Sequence, residues 1–142
     1  MFTVNPIASA FGAELHGVNL ANEMTPEVFQ EVRRLLGKHE VVFFRDQDIT
    51  PSQHRALAAS FGPLQTHPAY ETVEGIPEIP ILESTAEKPT KIESWHTDMT
   101  FRKHPPMGCV LRSTIVPSKG CLLYTSDAAD DSLRVDLGGR RI

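Results

Sequence analysis

Cysteine is scarce in this chain. Its two examples, Cys109 and Cys121, cannot build the disulfide framework of a small secreted domain, and cytoplasmic residence is the expectation that follows. Long apolar runs are also missing. None approaches the roughly 20 residues needed to cross a bilayer, and no cationic start leads into an apolar stretch, so neither an anchor nor a signal peptide is expected. An excess of positive charge is lacking too: 14 Lys and Arg stand against 18 Asp and Glu, a net charge of −4. That balance gives no general attraction to nucleic acid or to an anionic membrane, and an anionic substrate would have to be captured by local positive groups. What remains is 142 residues with 40% hydrophobic and 23% charged composition. That is enough for one globular domain and too little for two ordinary ones.

The first third reads as alternating strands and helices. Residues 2–4 and 13–18 form short strands of a hairpin around Gly12, with Leu15 and Val18 turned inward. His16, among them, reads as an exposed or hydrogen-bonded strand histidine, because nothing beside it could complete a metal site. Thr25, Pro26 and Glu27 supply a hydroxyl cap, a proline where no donor is lost and an early acid, the start of a helix. Val28, Phe29, Val32, Leu35 and Leu36 give that helix one buried stripe, and Gly37 with Lys38 is expected to close it. Residues 40–44 read as a buried strand. Arg45, Asp46, Gln47 and Asp48 read as a solvated turn. Thr50 and Pro51 repeat the helix-start signature, with Leu57 and Phe61 as the buried face and Gly62-Pro63 as the stop.

Beyond this the pattern loosens. Residues 65–80, rich in His, Pro, Tyr, Glu and Gly, read as a long loop, and loops of that length in a compact domain are usually functional or mobile. His67 and Tyr70 fall in it. Residues 79–82 read as a brief strand and 83–93 as a polar lead into the next one. Trp95 and Phe101 are read as core. Arg102, Lys103 and His104 read as a solvated basic turn, and residues 107–116 as a buried strand holding Cys109 as an inert thiol.

The stretch with chemical content is 93–101. His96 and Asp98 are one residue apart, and in an extended strand that spacing turns both side chains toward one face. An imidazole and a carboxylate can then grip one cation, as half of the two-histidine, one-carboxylate arrangement of non-heme iron(II) oxygenases. Alone, the triplet more often describes a histidine hydrogen-bonded to a surface aspartate. A zinc site from Cys109, Cys121 and His104 has no recognised ligand spacing.

The wider context is more specific. Trp95, His96, Asp98 and Phe101, then Pro105-Pro106 and a Val116-Pro117-Ser118 exit, resemble the iron(II)/2-oxoglutarate-dependent taurine dioxygenase family. So do the earlier blocks in order: 12–20, 41–47, Phe61-Gly62 and His67-Pro68-Ala69-Tyr70. The resemblance covers residues 1–120. It implies an α+β fold, a double-stranded β-helix (jelly roll) with flanking helices, of which only the N-terminal part is present. It also implies that His96 and Asp98 hold Fe(II), that 2-oxoglutarate is co-substrate with O2, and that His67, Tyr70 and the backbone at Met99 bind the substrate. The implied reaction hydroxylates a small sulfonate next to sulfur, releasing sulfite and an aldehyde. Where the taurine-specific pattern carries asparagine this chain has Ile92, which favours an alkyl sulfonate or sulfate ester over an aminosulfonate. Alkylsulfate and aryloxyalkanoate dioxygenases are the alternatives, and a homo-oligomeric parent is compatible with either.

Residues 121–142 depart from the family. Residues 121–130 and 135–142 resemble an in-frame translation of a transposase-type sequencing adapter, with 131–134 in the place of its variable index. A non-native, disordered tail is expected there, the other reading being a genuine polar tail. By the resemblance, the third iron ligand and the 2-oxoglutarate arginine would lie beyond this break, which implies a catalytically inactive fragment.

Overall fold

The computed structural model describes residues 2–8, 11–85, 87–89 and 98–115. Trp95, His96, Ile92 and the tail from residue 121 lie outside the described residues. The chain divides into two units, residues 1–80 and 81–142.

The first unit is organised by strand β2 (Ala13–His16), which pairs on both sides. Antiparallel to it runs β1 (Thr3–Pro6), with Val4 opposite Leu15, and parallel to it runs β3 (Val42–Phe43), with Ala13 opposite Val42. The hairpin reverses at Gly12, whose φ of 88° is open to glycine and strained for other residues. Parallel neighbours require a crossover. Helix α1 (Pro26–His39) provides it.

Alternation along β2 separates two faces. Ala13 and Leu15 are buried, whereas Glu14 and His16 face outward. On the inner face Leu15, Val32 and Leu35 form a buried cluster, with Phe2, Val4, Val28, Val42, Phe44 and Phe61 packed around it. A second cluster of Val18, Leu20 and Ile49 adjoins Leu57. Helix α2 (Pro51–Phe61) reaches both clusters through Phe61 and Leu57, and the Phe29 and Phe61 rings meet edge-on at 5.0 Å. The expected helical stripes therefore face the sheet.

Both helix starts have the expected chemistry. The Val28 amide donates to the Thr25 hydroxyl, and Thr50 forms a reciprocal capping box with Gln53. The expected stop at Gly37 is corrected: α1 continues to His39, and the Glu40 amide donates to the Leu36 carbonyl at 2.8 Å with Glu40 at φ 63°. His39 is buried at this last turn and its carbonyl accepts from the Gly12 amide at 2.8 Å, which offsets the roughly 1 kcal/mol that a mid-helix glycine costs. The expected strand at 40–44 shrinks to two residues. Phe43 points outward, where the Arg45 guanidinium lies 5.5 Å from its ring centre.

The segment after β3 is likewise not the solvated turn expected. Arg45 pairs with Glu14 at 2.6 Å, and His16 approaches the same carboxylate at 3.2 Å. Gln47 turns inward: its carbonyl oxygen accepts from the Leu20 amide at 2.8 Å, and its nitrogen donates to the carbonyls of Val18 at 3.1 Å and Arg45 at 2.8 Å. One amide side chain thereby satisfies backbone groups of two segments.

The expected loop at 65–80 contains a second sheet. Strands β4 (Thr72–Val73) and β5 (Ile76–Pro80) pair as a hairpin about Glu74 and Gly75, and the strand expected at 79–82 therefore starts and ends earlier. Gly75, at φ 73°, makes the tight reversal possible. Arg55 of α2 reaches Glu78 of β5 at 2.8 Å and ties the hairpin to the helix.

In the second unit the described residues form turns, bends and irregular backbone without a helix or strand. The buried strand expected at 107–116 is corrected: no described strand pairs with 107–115, and Leu111 and Ile115 are 76% and 86% exposed. Phe101, expected in the core, is 69% exposed. Among the described residues no helix is long and apolar enough to cross a membrane.

Two outcomes follow from these polar ties. Replacing Gln47 by Ala is expected to lower the unfolding free energy by roughly 2 kcal/mol, because three backbone groups lose their partner; Gln47→Glu, whose second oxygen would face the Val18 and Arg45 carbonyls acceptor to acceptor, is expected to lose at least as much at neutral pH, and urea denaturation measures both. The second outcome concerns pH. A hydrogen bond from Arg55 is the main cause that holds the Glu78 carboxyl below its ordinary value. A depressed carboxyl contributes stability above its unfolded pKa and loses it as pH falls through the folded one. The stability gap between the natural chain and Arg55→Met is thus expected to be present at neutral pH and to close below the ordinary glutamate range, which denaturation at pH 7, 4 and 3 would record.

Candidate functional site

Two stretches carry the candidate residues, one in each unit. In the first, the chain leaves α2 at Gly62 and enters β4 at Thr72, and the segment between holds His67 and Tyr70. Pro68 between them favours a turn. It folds back so that the Ala69 amide donates to Nδ1 of His67 at 3.2 Å. The His67 and Tyr70 rings lie 4.6 Å apart, inclined at 44°. The structure thus brings these two predicted residues together. Tyr70 is 40% exposed and His67 half-buried.

The ends of this segment are fixed by contacts absent from any short sequence pattern. At one end α2 packs on both apolar clusters, and at the other the Arg55–Glu78 ion pair holds β5. These partners are 23 residues apart, so no local signal could have found them.

In the second unit Asp98 and Met99 begin a turn, with the Arg102 amide donating to the Met99 carbonyl at 3.0 Å. Over 98–101 the expected strand is corrected to a turn, with Met99 at φ 58°, while 93–97 lie outside the described residues. A left-handed unbranched residue costs on the order of 1 kcal/mol and is encountered at binding and catalytic turns more than elsewhere. The reversal leaves the Asp98 side chain exposed. A carboxylate of this kind is a hard oxygen donor suited to a divalent first-row cation, so Asp98 fits the metal that the sequence implies. His96 lies outside the described residues, and among the described residues no three His, Cys, Asp or Glu side chains converge as a metal cluster.

Cys109 is exposed rather than buried as expected. Desolvation around its sulfur, first, and the charge of Asp98, second, push the thiol above its ordinary value and keep it protonated at neutral pH. Sequence reasoning missed this influence of Asp98 on Cys109, because the assumed strand would have placed the thiol inside the core. His16, as expected, is an exposed strand residue facing Glu14.

Comparison with known proteins now adds to this geometry. The chain is 31% identical over 118 residues to an alpha-ketoglutarate-dependent sulfate ester dioxygenase of Pseudomonas putida, covering 82% of this chain and 38% of that protein. It is 32% identical over 115 residues to an alkylsulfatase of Acinetobacter baylyi, covering 80% of this chain and 36% of that one. The chain therefore spans little more than a third of the length of these curated relatives. Among solved structures, a taurine dioxygenase from Burkholderia xenovorans superposes with a TM-score of 0.50 at 42% identity, over 54% of this chain and 28% of that one. Residues 3–132 match the family described as taurine catabolism dioxygenase TauD, TfdA. With that match spanning most of its length, this chain belongs to the TauD, TfdA dioxygenase family.

Proposed function

We propose that the chain is the N-terminal part of an iron(II)- and 2-oxoglutarate-dependent dioxygenase, built on a jelly roll, that hydroxylates a small organic sulfonate or sulfate ester. The observation that supports this reading is the match of residues 3–132 to the family, together with the turn at Asp98, where Met99 is left-handed and the carboxylate is exposed. His96 and Asp98 would hold the metal. Bound together, iron(II), 2-oxoglutarate and O2 would supply the oxidation.

The chain's own residues bind and orient. By the family resemblance, His67 would donate an N–H to an acid oxygen of the substrate with Tyr70 against that ring, and the backbone at Met99 would also bind the substrate. Orientation of this kind decides which C–H bond meets the oxidant. Hydroxylation next to the sulfur, or next to the ester oxygen, gives a product that collapses to an aldehyde with sulfite or sulfate. The apolar Ile92 and the likeness to a sulfate ester dioxygenase support an alkyl chain over the aminoethyl group of taurine. We further propose that these 142 residues alone are inactive, since no residue in them is assigned as the third iron ligand or as the arginine that pairs with 2-oxoglutarate.

The test is turnover by the full-length parent, read as succinate formation with hexyl sulfate, taurine and phenoxyacetate in parallel. Hexyl sulfate is expected to be the best of the three. Preference for phenoxyacetate would transfer the reading to an aryloxyalkanoate dioxygenase, and no succinate with any of them would end it. In the same parent Asp98→Ala is expected to reduce metal affinity by more than the roughly 10- to 100-fold typical of outer-shell changes. The 142-residue chain itself is expected to bind Mn(II) weakly in calorimetry, and tight stoichiometric binding with 2-oxoglutarate would contradict its inactivity.

A further inference from the structure

A cavity of about 310 Å³ lies beside the start of α1, at the lower end of the roughly 300–1,000 Å³ typical of small-molecule sites. Phe2, Met24 and Val28 make its apolar side. Each is partly buried and packs on both core clusters, so the core itself backs this wall. Gly17 adds no side chain beside Phe2, where a Cβ would stand 3.6 Å from the Phe2 Cα. The polar side includes Asn22 and Glu23, both exposed.

The charge of this cavity is decided by an account of its polar groups. Pro26 brings no amide proton, and the Glu27 carboxyl is held below its ordinary value first by its own amide and second by the Thr25 hydroxyl. The Val28 amide donates to that hydroxyl at 3.4 Å, and the Phe29 amide donates to the Thr25 carbonyl at 2.9 Å. The donors that a helix start ordinarily offers to an anion are therefore absent or occupied, and an acid already sits at the positive end of the dipole. Glu23 differs. Among the described residues nothing hydrogen-bonds or ion-pairs with its carboxylate, and no Lys, Arg or His lines the cavity. An exposed glutamate is ordinarily just solvated; this one shares a cavity with three apolar side chains that the core holds in place.

We propose that the cavity is a binding site for a small organic ammonium ion with an aryl or alkyl body, its head at Glu23 and the Asn22 side-chain oxygen and its body against Phe2, Met24 and Val28. An ammonium group has donors and no acceptor, which matches a carboxylate and an amide oxygen. The Phe2 ring and the adaptable Met24 thioether suit an aryl or alkyl body. This site shares no residue with His67, Tyr70, His96, Asp98 or Met99, and it stands or falls apart from the proposed oxidation.

Amide shifts of the 15N-labelled 142-residue chain, titrated with phenethylammonium chloride, test the site. Saturable shifts centred on residues 17–25 and 28 are expected, in the millimolar range that suits a ligand of about ten heavy atoms. 2-Phenylethanol, with the same body and no charge, is expected to bind about fivefold more weakly, the difference that an accessible ion pair supports, and 3-phenylpropionate more weakly again. Ethylammonium, with the head and little body, is expected to lose about tenfold through the missing apolar contact. Glu23→Gln is expected to bring phenethylammonium down to the affinity of the alcohol, and Glu23→Lys to reverse the order so that 3-phenylpropionate binds better than the ammonium. Because Glu23 is exposed, both variants are expected to keep the amide spectrum away from the cavity, which checks the fold in the same experiment. Equal affinity for the ammonium and the alcohol, shifts centred on other residues, or an order unchanged in Glu23→Lys would each refute the proposal.

Discussion

The burial of Leu15 of β2 against Val32 and Leu35 of α1 is the contact on which the first unit depends. It couples the centre strand of a three-stranded sheet to the helix that carries the chain across it. Two short strands on either side of β2 would not be stable as an isolated ribbon. Covered by α1 on their apolar face, they are. The second helix adds Phe61 to the same cluster and Leu57 to its neighbour, so that both helices lie over one sheet face and the opposite face is left to Glu14, His16 and Arg45.

Polar side chains then fix what apolar contact leaves adjustable. Hydrophobic burial is non-directional and does not by itself choose a register. Gln47 does, because its amide fits only one placement of the 18–20 backbone. Gln53 has a similar double role, accepting from the Thr50 amide at the helix start and donating to the Ala21 carbonyl at 2.7 Å. Both are surface-type residues by composition. Each adds to its local bonds a contact 27 to 32 residues away in sequence.

What was legible in the residues follows from this division. The helix starts at Thr25 and Thr50, the hairpin about Gly12 and the inward Leu15 and Val18 were all local matters of capping, periodicity and turn chemistry, and the structure has them as expected. The end of α1, the inward turn of Gln47 and the Arg55–Glu78 pair depend on partners far along the chain, and no window of sequence contains them. The errors at Phe101 and 107–115 have one cause: apolar, β-branched composition was taken to mean a buried strand, but a strand also needs a neighbour to pair with. At the site, His67 and Tyr70 were singled out by the resemblance of 67–70 to the family, and the structure brings their rings together, while the left-handed backbone of Met99 was not legible, since methionine has no intrinsic preference for it.

The Arg55–Glu78 tether bears on how the segment from Gly62 to Thr72 responds to a ligand. An unanchored stretch of this length would surrender much of its freedom on binding, at about 1–2 kcal/mol for each backbone residue ordered. With one end fixed in a capped helix and the other clamped to that same helix through a guanidinium and a carboxylate, much of that loss has already occurred during folding. Were the proposed substrate to bind there, it would meet a preorganised rim, with more of its contact energy left over as affinity.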